Sequence, residues 1–388
     1  MSLSDGKSLP CRMLAIAVDA LCRTEESRVS GKGNIMKCNY LMAATGVLLL
    51  VSGAHAGTPS LSETARPTHT GTFVGTDAYT QVREMGRGLN VLGEDPGWTN
   101  PANARFKPEH FKKIRGAGFQ TVRIMMSAFS HMDQYYGLEA GWLQRLDLMV
   151  DTALDAGLVV VLDEHDNWEP CGKDAAVCGQ KLNAFWAQIA SRYKDKSNKL
   201  VFELLNEPNS VMTPAVWNAQ IKQTLPIIRA FNPVRNIVVG PAMAYAPGLL
   251  DKLELPSSDR HIIVTVHYYE PMAFTHQGAP WAPEIKYTGR SWGSDADIKQ
   301  LDATFDSVKA WSITWNRPIW LGEFGAFETA PMESRVRYDS AVARAAEARG
   351  FAWCYWQFDK DFVVYDIAKD AWVEPIFNAL IPATEAKK

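Results

Sequence analysis

Two glutamates carry the chemistry this sequence offers. Glu207 stands in VFELLNEPN (201–209) and Glu323 in IWLGEFG (319–325). Each follows an apolar run of the kind a strand buried on both faces requires. Alternation along the first run puts Glu203, Leu205 and Glu207 on one face, with the amide of Asn206 beside them. Pro208, which has no N–H to donate, is expected to end that strand. Two carboxylic groups fixed at the ends of separate strands are the equipment for cleaving a glycosidic bond. One donates a proton and the other serves as nucleophile or base.

Something must bring residues so far apart in the chain together. From Gly86 onward strand-like segments alternate with helical ones: GRGLNVLG (86–93), FQTVRIMM (119–126), LVVVLDEHDNW (158–168), the Glu207 run, NIVVGPAM (236–243), HIIVTVHYYEP (261–271), the Glu323 run and FAWCYWQFD (351–359). Such alternation means parallel strands joined by helical crossovers. Eight units with no linker between them predict an α/β fold, a (β/α)8 TIM barrel forming a single catalytic domain. An open dinucleotide-binding sheet is disfavoured, because GRGLNVLG lacks the GxGxxG spacing.

A barrel builds its site at the C-terminal ends of its strands. Polar residues fall there in this sequence: Arg123 on the second strand, Asp163 and His165 on the third, Asn206 and Glu207 on the fourth. His267 and Tyr269 end the sixth, Glu323 the seventh and Trp356 the eighth. Singly each has a structural reading. Arg123 can be an ion-pair partner of Glu203 rather than of Glu323, and Asp163 an acceptor inside the barrel. Jointly they describe a site. The run Asp163, Glu164, His165, Asp166 suggests metal ligands at first sight, yet neighbours on a strand face opposite ways and no HExxH or CxxC spacing supports them. Neither a metal nor a cofactor is expected. No GxSxG elbow and no phosphate-binding loop is present in the sequence.

The motifs LNEP (205–208), HYYEP (267–271), LGEFG (321–325) and YWQF (355–358) resemble those of glycoside hydrolase family 5, the cellulase-type barrels of clan A. The resemblance covers the chain from about Gly86 to Phe358. It implies that Glu207 is the general acid/base and Glu323 the nucleophile. Arg123 and Tyr269 would keep the nucleophile ionised and oriented, and Asn206 would bond the sugar 2-hydroxyl. His165 and His267 would line the cleaved bond, and Trp356 would stack on the sugar ring. The opening GRGLNVLGEDPGW differs from the family's GxNLGN, so the substrate stays open.

The remaining composition sets bounds. A chain of 388 residues, 47% hydrophobic with net charge −3, has neither basic clusters nor the charge for binding nucleic acid. Residues 1–35 read as an unstructured or non-native extension. Met36 and Lys37, the apolar stretch 41–51 and Ala54-His55-Ala56 give the charged, apolar and cleavage regions of a signal peptide at 36–56. The stretch is too short to span a bilayer. Residues 57–85 read as a flexible lead-in and 86–388 as the catalytic domain. Export permits a Cys171–Cys178 disulfide, and Cys354 in an apolar run reads as a buried thiol. Thirteen tryptophans supply flat faces for sugars; Trp98, Trp168, Trp281 and Trp292 fall in strand-to-helix loops on the rim, where each can be a sugar subsite or loop packing.

The expectation is a secreted or periplasmic, monomeric endo-β-1,4-glucanase acting on β-linked polysaccharide or oligosaccharide with retention, free of membrane after cleavage. The alternatives are a β-mannanase, a mixed-linkage glucanase, or a carbohydrate-binding barrel without catalysis.

Overall fold

The structure, a computed structural model, describes residues 73–383. The extension 1–35, the signal peptide 36–56 and most of the lead-in lie outside the described residues. Eight strands close into one parallel barrel in chain order. They are β1 (Arg87–Val91), β2 (Thr121–Met126), β3 (Val159–Glu164), β4 (Leu200–Glu203), β5 (Ile237–Val239), β6 (Ile262–Tyr268), β7 (Ile319–Phe324) and β8 (Ala352–Tyr355). The major crossover helices are Glu109–Gly116, Ala140–Asp155, Ala175–Arg192, Pro214–Arg229, Asp295–Trp315 and Met332–Ala348. No helix among the described residues is long and apolar enough to cross a membrane.

Alternation sorts the strand side chains into two cores. Val122, Ile124, Val160, Leu162, Phe202 and Val264 face the helices, whereas Val159, Val161, Val201, Val238, Ile263, Trp320, Ala352 and Cys354 fill the barrel. Each buried aliphatic side chain contributes about 1.5–3 kcal/mol. Val161 pairs with Arg123 and Val201, and Asp163 pairs with Met125 and Glu203, so a charged layer sits directly above an apolar one.

The lead-in is the first correction. Ala78–Met85 is a helix, capped by Asp77, whose side chain accepts from the Thr80 N–H at 2.9 Å. Its Ala78, Val82 and Met85 join the barrel-interior cluster and plug its lower end. The ordered domain therefore starts before Gly86. Its signal was an apolar face within a stretch rich in polar residues.

The fourth strand is the second. β4 ends at Glu203, well before Pro208, and Leu205 joins Leu204 in the outer core instead of sharing the face of Glu203. The carbonyl of Leu204 accepts from Trp186 Nε1 at 2.9 Å, and that of Leu205 from the Tyr245 hydroxyl. Side chains thus take the carbonyls that a strand would offer its neighbour. Glu207 follows with φ +40°, a left-handed conformation that turns the chain back to the barrel mouth.

Candidate active site

Arg123 organises the barrel mouth. It is the third residue of β2 rather than its end, and its guanidinium is fully buried. Nε and one terminal nitrogen donate to Glu203 at 2.6 and 2.9 Å, and the Asp163 carboxylate lies 3.0 Å away. The other terminal nitrogen donates to Glu323 Oε1 at 2.7 Å and to Asn90 Oδ1 at 2.9 Å. Both partners considered for Arg123 are therefore real. Burial opposes its charge, but Asp163, Glu203 and Glu323 together hold its pKa above the usual arginine value.

Glu323 is gripped from both sides. Tyr269 donates its hydroxyl to Glu323 Oε2 at 2.8 Å, opposite the arginine. Burial, with the nearby Glu207 carboxyl, raises the pKa of Glu323 above the usual carboxylate value, against the pull of Arg123. Glu207 has a different setting. Its Oε1 lies 2.6 Å from His267 Nδ1, its side chain is 19% exposed, and it has no ion pair with a lysine or arginine among the described residues. Burial pushes its pKa up to about 7, against the pull of His165 and Arg123. Burial also drives His267 down to about 3, so its imidazole is neutral.

His165 and Asn206 complete the floor. His165 Nδ1 contacts Asp163 Oδ2 at 2.5 Å, and its Nε2 faces Asn206 Nδ2 at 3.2 Å. The Asn206 carbonyl oxygen accepts from Arg123 at 2.9 Å, which fixes the amide's orientation. Trp356, half-buried, lies nearly parallel to the His165 ring, with centroids 5.7 Å apart. The structure thus brings Arg123, His165, Asn206, Glu207, His267, Tyr269, Glu323 and Trp356 to one cleft.

Glu207, His267 and Glu323 each offer an atom within 4.8 Å of the others, and these are the groups among the described residues able to hold a metal ion. The same figure bounds the approach of the two carboxylates. It fits a pair acting directly on opposite sides of one bond.

The cellulase model of glycosyl hydrolase family 5 matches residues 78–361, most of the described chain. The chain belongs to glycosyl hydrolase family 5. It is 31% identical over 318 residues to Endoglucanase H of Acetivibrio thermocellus, covering 78% of this chain and 33% of that relative. The chain thus spans about a third of that relative's length. A hyperthermophilic endo-β-1,4-glucanase crystallised with substrate is 34% identical at a TM-score of 0.75, covering 79% of this chain and 99% of that one. Thermotoga maritima Cel5A in complex with mannotriose is 36% identical at a TM-score of 0.75, covering 79% and 100%.

Within this family 5 barrel the four rim tryptophans divide. Trp168 and Trp281 are 68% and 51% exposed, free to meet a sugar. Trp98 and Trp292 are buried instead. Trp98 packs against Trp142 with centroids 5.7 Å apart, and Trp292 meets Tyr338 edge-on at 5.1 Å. Of the two readings, these two take loop packing. The disulfide joins Cys171 to Cys178, tying the loop after β3 to the helix Ala175–Arg192, and Cys354 is a buried free thiol in the barrel.

Two contributors escaped sequence reasoning. Asn90 of β1 orients Arg123, and Tyr245 sets its ring edge-on to His267 at 4.9 Å. Asn90 had a signal: it is an amide between two apolar residues, Leu89 and Val91, of a core strand. Tyr245 had none, because it lies in a short turn of positive-φ residues after β5 that carries no motif.

Proposed function

We propose that the chain is a secreted endo-acting β-1,4-glucanase working by double displacement with retention. The observation that carries this reading is the unequal setting of two neighbouring carboxyl groups. Glu323, held by Arg123 and Tyr269, is the nucleophile. Glu207, free of cations and with its pKa near 7, is the acid. Glu207 protonates the leaving oxygen while Glu323 attacks the anomeric carbon. The esterified Glu323 then carries no charge, the pKa of Glu207 falls, and Glu207 takes a proton from the incoming water. Neutral His267 orients the Glu207 carboxyl without supplying a competing charge. On this reading Asn206, aligned by Arg123, bonds the sugar 2-hydroxyl, and Trp356, beside His165, stacks on the sugar ring.

The relatives named endoglucanase and the structure of an endo-β-1,4-glucanase with its substrate support β-1,4-glucan as the substrate. Mannan is the second reading, favoured by the likeness to a Cel5A that was crystallised with mannotriose. Secretion rests on the signal-peptide pattern at 36–56 and on the disulfide. Reducing-sugar release across soluble β-glucans and mannans, with the anomer followed by NMR, tests the reading. Fastest release from β-1,4-glucan with the β-anomer formed first supports it. Initial α-anomer, or no release from any polymer, refutes it.

A further inference from the structure

Strands β6 and β7 do not pair residue for residue. Thr265 faces Trp320 and Val266 faces Leu321, but His267 faces Glu323, leaving Gly322 unmatched. This is a β-bulge of one residue. Its consequence is directional. Trp320 points into the barrel, so strict alternation would send Gly322 inward and Glu323 outward to the helices. The extra residue reverses that parity and sets Glu323 beside His267, on the same face of the sheet.

The position tolerates little else. A Cβ on Gly322 would lie 2.7 Å from Thr265 Oγ1 and 2.8 Å from His267 Nε2. The bulge is also tethered. Asn90 Nδ2 donates to the Gly322 carbonyl at 3.0 Å, while Asn90 Oδ1 accepts from the arginine that grips Glu323. His267 in turn stands 2.6 Å from Glu207 and 3.5 Å from Glu323.

We propose that Gly322 is a positioning residue for the reaction: its side-chain-free bulge turns Glu323 into the cleft and seats His267 between the two glutamates. The proposal rests on the reading of Glu323 as nucleophile. Gly322 itself touches neither substrate nor reacting atoms and acts through Glu323 and His267.

The test is Gly322→Ala in the full chain, assayed on soluble β-1,4-glucan. Expected is a loss in kcat of about 100-fold, the scale of a misplacement near 1 Å, with KM changed far less. The acidic limb of kcat/KM should move to higher pH, because a displaced Glu323 loses part of its contact with Arg123, the charge that lowers its pKa. In a His267→Ala background the same substitution should add little. Gly322→Ala/Thr265→Ala, which removes one of the two close contacts, should regain part of kcat and supplies folded protein if the single variant precipitates. A wild-type rate and pH profile in Gly322→Ala overturns the proposal. So does an equal loss with or without His267 at an unmoved acidic limb, or failure of both variants to fold. An inactive wild type, or a fully active Glu323→Ala, would instead refute the nucleophile reading.

Discussion

The two sides of the cleft hold the same functional group in opposite ways. Glu323 sits on a hydrogen-bonded strand, takes an arginine on one oxygen and a tyrosine on the other, and is almost fully buried. Glu207 sits beyond the end of β4 on a residue of positive φ, with a neutral histidine as its hydrogen-bond partner and part of its surface open. Fixed charge suits a nucleophile, and a movable proton suits an acid. The difference lies in what each backbone position can reach, since the residues themselves are identical.

Removing Glu323 breaks the comparison hardest. Glu323→Ala should lower kcat by roughly 10⁴-fold or more, measured by single-turnover sugar release. Glu207→Gln comes next, at about 10²–10⁴-fold on polysaccharide. Its cost should shrink on an aryl glycoside whose leaving group needs no proton. The basic limb of kcat/KM, which Glu207 places near pH 7, should vanish in that variant. The sign is fixed: the acid works below its pKa, and activity falls as pH rises through it.

Arg123→Ala tests whether the grip on Glu323 is electrostatic. Loss of the guanidinium raises the pKa of Glu323, so the acidic limb should move to higher pH. Asp163 and Glu203 lose the same buried partner, so the thermal midpoint should fall too, with about 3–5 kcal/mol at stake for a broken buried pair. A lowered midpoint with an unmoved acidic limb would confine Arg123 to a structural role.

Much of this contrast was legible in the sequence, and the limits have physical causes. Glu207 and Glu323 announced themselves because a carboxylate at the end of an apolar run has few structural uses. The alternation of eight strands with helices fixed the barrel, since periodicity depends on burial alone. Parity failed at two places. Leu205 left the face of Glu203 when Trp186 and Tyr245 captured the neighbouring carbonyls, and Glu323 points inward only through the bulge at Gly322. Both depend on residues distant in sequence. Trp98 and Trp292 show the same limit, because an indole in a loop can meet a sugar or another ring and only tertiary packing decides.

Smaller effects sharpen the account at its margins. Cys178→Ser should lower stability by about 2 kcal/mol through loop entropy, seen in denaturant unfolding, with kcat on soluble substrate nearly unchanged. Under the proposed mechanism, in which the carboxylates act on the substrate directly, chelator should leave activity as it is. Loss of activity in EDTA, regained with a divalent ion, would mean that Glu207, His267 and Glu323 work as a metal site.

Azide rescue of the two alanine variants tests the division of labour most directly, because a small anion can replace a missing carboxylate only on the face it once occupied. With an activated aryl β-glycoside, azide should restore Glu323→Ala and give the α-glycosyl azide. In Glu207→Ala it should give the β-glycosyl azide by attack on the intermediate carried by Glu323. The reverse pairing of variant and anomer would exchange the two roles, and no azide product from either would contradict the double displacement.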